Sequence, residues 1–221
     1  MVYILNIETA TKNCSVSLSK NGQTVALKEL SEEQFNHAEK LNLFVKEILA
    51  SESISFADLN AVAVSKGPGS YTGLRIGVSA AKGLCYALNI PLIAVDTLAV
   101  LAEKISIDSG MIVPMIDARR MEVFTQMFDK DFNVLSTAEA LIVDETAFAN
   151  IIEDIHLVGD GSLKCKTVLT DAKFIFHEDV IYPSANEMNR LSYKKYIENT
   201  FEDVAYFEPY YLKDFMLTTK K

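Results

Sequence analysis

The residues best placed to do chemistry form one run, Ser65-Lys66-Gly67-Pro68-Gly69-Ser70-Tyr71-Thr72-Gly73-Leu74-Arg75-Ile76-Gly77. It joins a predicted strand to a predicted helix, where backbone N–H groups at a helix start can hold an anion. The spacing is not that of a Walker A loop, because Lys66 precedes the glycines. Nor is it a dinucleotide fingerprint, because Gly73 follows Gly67-Pro68-Gly69 one residue too late. Two readings stay open: a ligand or partner loop, and a tight structural crossover.

Glu8-Thr9-Ala10-Thr11 ends the first predicted strand. A carboxylate there can hold a hydrated metal ion, and the neighbouring hydroxyls can meet phosphate. Asp117 ends a similar strand in the second half, so Glu8 and Asp117 would face one another across a cleft. The plainer alternative is that both acids cap turns, with Thr9 and Thr11 satisfying backbone groups. His37, His156 and His177 have no histidine three or four places away, so a histidine metal site is not expected. A serine hydrolase lacks its G-x-S-x-G elbow. Cys14, Cys85 and Cys165 have no C-x-x-C spacing and read as small buried hydrophobes of a reducing compartment.

The elements that must position these residues follow from periodicity. Tyr3 to Ile7 reads as a buried strand, Asn21-Gly22 as a hairpin turn, and Ser15 to Ser19 and Thr24 to Glu29 as the flanking strands. Ser31 and Gln34 fit a capping box, after which Phe35, Ala38, Leu41, Val45 and Ile48 form one apolar helical stripe. That stripe is either core or a surface for a partner. Ala61 to Val64 is a strand. The helix from about Thr72 to Leu88 carries Gly73, Gly77, Ala80, Ala81 and Gly83, and each glycine costs about 1 kcal/mol of helix propensity. Such a composition points to close approach of another backbone or of a ligand. Pro91 to Val95 is a strand, and Asp96 is placed to cap the helix Thr97 to Ile105.

The order then repeats: an apolar strand Met111 to Ile116, the acid Asp117, a turn, an alternating strand Met121 to Phe128, and a third strand Phe132 to Leu135. This suggests a duplicated α/β unit with a boundary near Ser106 to Gly110. Phe148 to Ile152, a segment from Ser162, and Asn186 to Ile197 read as helices, with Ile155 to Val158 as a short strand. The aromatic tail Phe207-Glu208-Pro209-Tyr210-Tyr211-Leu212 is expected to dock on the body.

With 221 residues, 49% of them hydrophobic, the chain can bury a sizeable core. Lys and Arg number 21 against 30 Asp and Glu, a net charge of −9, which disfavours free nucleic acid and suits a protein partner. Absence of a basic leader and of a long apolar run gives the expectation of a cytoplasmic protein with no membrane partner.

The opening Ile4 to Thr11 with Cys14 to Leu18, the run Ser65 to Gly77, and the tail Glu208-Pro209-Tyr210-Tyr211-Leu212 together resemble the TsaB (YeaZ) family, needed to make threonylcarbamoyladenosine on ANN-decoding tRNAs. The similarity is dense to about Ala99 and resumes at the tail. The resemblance implies a duplicated actin-like (ASKHA, ribonuclease H-like) α/β architecture of mixed sheets flanked by helices. It implies an N-terminal domain 1–107 carrying partner-binding helices, a smaller domain 108–206, and a tail 207–221 packed on the body. The implied role is a non-catalytic subunit that activates a TsaD-like transferase, with a TsaE-like ATPase and tRNA reached through the complex, and a homodimer when alone. No cofactor is bound tightly by the chain itself, ATP being used by the wider pathway. Phe35, Ala38, Leu41, Val45, Gly73, Gly77 and Ala81 map onto the family's association surface. Glu8, Thr9, Thr11, Lys66, Gly67, Gly69 and Asp117 would be a remnant of the superfamily's phosphate loops. Glu8 replaces the usual Asp, which moves the charge by about 1.5 Å, and Lys213 stands where Arg is commoner. The competing classes are an independent actin-like ATPase or small-molecule kinase, and a peptidase.

Overall fold

Alternation rules the first strand: Leu5 and Ile7 point to one side of a sheet and Ile4 and Asn6 to the other, all fully buried. In a computed structural model, which describes residues 1–31 and 37–213, this strand is β1 (Tyr3–Glu8), followed by β2 (Asn13–Lys20) and β3 (Gln23–Ser31). The Asn21-Gly22 turn takes the left-handed backbone its residues favour, with φ of 51° and 82°. Ser31 ends β3 and its hydroxyl donates to Asn13 Oδ1 at 3.0 Å, while Gln34, the other half of the predicted capping box, lies outside the described residues. Helix α1 (His37–Ser51) follows, then β4 (Ala61–Ser65), α2 (Tyr71–Leu88) and β5 (Leu92–Val95). The sheet order is β3-β2-β1-β4-β5, antiparallel on the hairpin side of β1 and parallel on the β4 side. Leu41, Val45 and Ile48 of α1 and Val78, Ala81 and Cys85 of α2 pack with Leu5, Ile7, Val16 and Leu18 on one face.

Helix α3 (Thr97–Ala102) leads to β6 (Met111–Asp117), β7 (Glu122–Thr125), β8 (Phe128–Asp129), β9 (Glu139–Ile142), β10 (Ile155–Val158), α4 (Ser162–Cys165) and β11 (Phe174–Phe176). The second sheet runs β11-β10-β6-β7-β9, with β8 paired to β6. Its central strand again has antiparallel neighbours on one side and parallel ones on the other. Three expectations are corrected. The alternating run 121–128 is broken into β7 and β8. The third strand is β9, not Phe132 to Leu135, which makes one bridge at Val134 to Phe128. Phe148 to Asn150 is turn and Ile151 and Ile152 are irregular, not helix, and β11 went unread because three residues carry no periodic signal.

Helix α5 (Met188–Ile197) falls in the stretch 108–206 yet covers the first sheet, where Ala185 and Met188 meet Ile4, Ala61, Ala63 and Ile93. A buried polar network fixes it there. Asn6 Nδ2 donates to Asn189 Oδ1 at 2.6 Å, Ser192 Oγ to Asn6 Oδ1 at 2.6 Å, and Ser17 Oγ to the Ala185 carbonyl at 2.7 Å. Conversely, Leu98, Leu101 and Ala102 of α3 pack with Ile112, Ile116, Phe128 and Val158 of the second sheet. The two sheets therefore exchange a helix. Among the described residues no helix is long and apolar enough to cross a membrane.

Candidate functional site

The run Ser65 to Gly77 packs against the end of β1. A Cβ on Gly73 would overlap the Thr9 carbonyl oxygen, one on Gly77 the Thr9 hydroxyl, and one on Gly69 the Ala10 carbonyl. Ser70 N–H donates to the Ala10 carbonyl at 2.6 Å, Gly73 N–H to Ser70 Oγ at 3.3 Å, and Thr9 Oγ1 to the Gly73 carbonyl at 2.8 Å. Two of the amides that would face an anion at the start of α2 are thus engaged within the chain. The tail closes the other side. Tyr210 N–H donates to the Lys66 carbonyl at 2.7 Å, its own carbonyl sits where a Gly67 side chain would go, and Gly67 has φ of 116°. Backbone crossing backbone explains these glycines, which favours the structural crossover over the phosphate cradle.

Glu8 is fully buried beneath this crossing. Ala10 N–H donates to its Oε1 at 2.6 Å, and the Ser65 hydroxyl lies beside the carboxyl and helps hold its pKa down. Burial pushes the Glu8 carboxyl up from the usual 4.5 to about 7, with the Ala10 N–H pulling the other way. Thr11 is buried, its carbonyl 2.8 Å from Nε2 of the buried His37, and burial lowers the His37 pKa.

Asp117 is exposed instead. It forms an ion pair with Lys164 and accepts Arg119 N–H at 2.9 Å, and its own N–H donates to Asp160 Oδ1 at 2.9 Å. Burial raises the Asp160 pKa, opposed by the Asp117 N–H. Arg119 and Arg120 hold left-handed backbone, φ 73° and 52°, in the turn that follows. Asp160 and Lys164 were missed from sequence because they reach Asp117 only through the pairing of β10 with β6. Lys66 Nζ pairs with Asp96 Oδ1 at 3.0 Å, and Asp96, at the start of α3, makes no side-chain cap bond. The pair lines a cavity of about 600 Å³ with Gln126, Ser136, Thr137 and Tyr210.

The residues mapped onto an association surface separate. Phe35 lies outside the described residues. Leu41, Val45, Gly73, Gly77 and Ala81 are buried against the chain's own sheet, so the core reading of the stripe holds for them. Ala38 is exposed. The outward faces carry Leu43 at 47% exposure on α1, and Ser79, Gly83 and Tyr86 on α2, the last at 86%. A Cβ added to Gly83 would have nothing within 4 Å. These positions were missed because a stripe search marks the buried face of an amphipathic helix, not the opposite one. Among the described residues no group of three or more His, Cys, Asp or Glu gathers to hold a metal.

Two mixed sheets, each with helices packed on it, place the chain among α/β proteins. The model of the family described as TsaD, tRNA N6-adenosine threonylcarbamoyltransferase, matches residues 31–215. The chain is 30% identical over 220 residues to tRNA threonylcarbamoyladenosine biosynthesis protein TsaB of Escherichia coli (strain K12), covering 96% of this chain and 94% of that one. It is 34% identical over 113 residues to tRNA N6-adenosine threonylcarbamoyltransferase of Bacillus subtilis (strain 168), covering 44% of this chain and 33% of that one. YeaZ from Pseudomonas aeruginosa superposes with a TM-score of 0.85 at 24% identity, covering 96% of this chain and all of that chain. The chain belongs to the TsaB (YeaZ) family.

Proposed function

We propose that this chain is the non-catalytic subunit that activates a TsaD-like transferase for threonylcarbamoyl transfer to adenosine in ANN-decoding tRNAs. The observation that carries this reading is family membership over nearly the whole of both chains. The closed corner at Glu8 supports it, since the Ser65 to Gly77 run is filled by Thr9, Ala10 and Tyr210. The chain supplies no group to the chemistry and binds no cofactor tightly. It acts by binding the active state of its partner better than the inactive one, without which it would shift no population. A TsaE-like ATPase and tRNA join through the complex. The shared strand order of the two sheets supports duplicated actin-like units, 1–107 and 108–206, with 207–221 as the tail.

The partner face is the outward side of α1 and α2, with Ala38, Leu43, Ser79, Gly83 and Tyr86, and the same face forms a homodimer when the partner is absent. Gly83 lets a partner helix approach closely. Gly83→Arg has open space and improves helix propensity, so the variant folds with unchanged or raised thermal stability. Its complex with the TsaD-like subunit is expected to be lost, and threonylcarbamoyl transfer reconstituted from purified components is expected to fall with it. Transfer that proceeds equally without this chain would reject the function. A Gly83→Arg chain that binds and activates normally would reject the surface alone.

A further inference from the structure

His156 and His177 are 21 residues apart in sequence, and no motif links them. Parallel pairing of β10 with β11 brings them together, with Leu157 opposite Phe176 and the His177 N–H donating to the Leu157 carbonyl at 2.9 Å. His156 Nδ1 lies 3.0 Å from His177 Nε2, and the rings are tilted 31° to each other. Both imidazoles are partly exposed. We propose that His156 Nδ1 and His177 Nε2 form a two-nitrogen site for a borderline divalent transition-metal ion such as zinc, with water completing its coordination.

Three observations carry this. First, two metal–nitrogen bonds of about 2.0–2.1 Å meeting at about 90–110° hold their nitrogens roughly 2.9–3.4 Å apart, and the observed 3.0 Å lies inside that range. Second, with Nδ1 turned to His177, Nε2 of His156 is the far nitrogen, the one on which metal-binding histidines commonly take an outer hydrogen bond, and the Ser109 backbone acts on this ring to raise its pKa. Third, His156 sits in β10 and His177 directly follows β11, anchored by its N–H to the Leu157 carbonyl, so little order has to be created on binding. Burial, and then the neighbouring His177, lower the His156 pKa, which favours the neutral ring a metal requires.

In the metal-free pair one of the two facing nitrogens carries the shared hydrogen. Binding moves that proton to the far nitrogen of its own ring by a change of tautomer, so both facing nitrogens present lone pairs and no proton is released. Two imidazoles select zinc, nickel or copper over magnesium and calcium, which prefer oxygen. This inference is independent of the proposed function.

The test is calorimetric titration of the full chain with zinc chloride in a non-chelating buffer. One saturable site in roughly the micromolar range is expected, unaffected by excess magnesium. His156→Ala and His177→Ala should each weaken it at least about tenfold, while His37→Gln should not. Absence of saturable binding up to roughly millimolar zinc, or undiminished binding by both alanine variants, overturns the site. Imidazole nitrogen resonances of the unsubstituted chain give a check that needs no variant. Zinc must move those of His156 and His177 and leave His37 in place; any other pattern counts against the site.

Discussion

Glu8 and Asp117 each close the central strand of a mixed sheet and each precedes an antiparallel return, yet the first is sealed and the second solvated. At Glu8, three glycines let α2 and its leading loop press against Thr9 and Ala10, and the tail covers Gly67. Among the described residues no cation pairs with the carboxylate, and its pKa rises to about 7. At Asp117 the turn stays open and Lys164 neutralises the acid. Equal topological position therefore does not give equal chemistry. The side chains delivered by the next parallel strand and helix decide whether a strand-end acid is a buried proton carrier or half of a surface ion pair.

The sharpest way to break this comparison is to reopen the sealed corner. Gly77→Leu places a branched side chain on the Thr9 hydroxyl and should cost about 3 kcal/mol or more, seen as a collapsed thermal transition by circular dichroism. A variant melting like the parent would show that the glycine contacts do not hold the corner.

Next is the proton at Glu8. Its pKa is about 7 in the folded chain against the usual 4.5. Between those values the folded chain holds one more proton than the unfolded chain, so stability falls as pH rises through the window, by about 3 kcal/mol at pH 8. Glu8→Gln keeps the neutral shape and should remove most of that fall. Urea unfolding of both chains near pH 5 and near pH 8 checks it; parallel pH profiles would mean that the acid is solvated after all.

A smaller effect belongs to the tail. Tyr211 stacks on Tyr71 with ring centroids 4.8 Å apart and accepts from Arg75 Nε at 3.2 Å. Tyr211→Ala should cost about 1 kcal/mol and raise amide exchange near Gly67, whose contact with Tyr210 it helps hold. Protection unchanged at Gly67 would separate the tail from the corner.

Smallest is Asp117→Asn. The ion pair with Lys164 is solvated, so the change should shift stability by less than about 1 kcal/mol, and less still in high salt. Threonylcarbamoyl transfer at saturating complex should stay within a few fold of the parent. A 100-fold loss, about 2.7 kcal/mol, with normal folding and affinity would give Asp117 a direct part in the chemistry.

Much of this was legible in the residue order. Alternation at Ile4 to Ile7, the Asn21-Gly22 turn, the small residues of α2 and the acids ending β1 and β6 are local signals, and the elements formed where those signals were strong. The glycines also announced a close approach, because three of them in one helix have no propensity reason to be there. The sequence could not say what approaches. That Thr9 and Ala10 fill the space, that Leu41 and Val45 turn inward while Tyr86 turns outward, that α5 crosses back to the first sheet, and that His156 meets His177 all depend on contacts between residues distant in the chain. Local periodicity fixes which side of an element is apolar. Only packing fixes which neighbour that side meets, and so which acid is buried, which glycine is filled and which histidines share a proton.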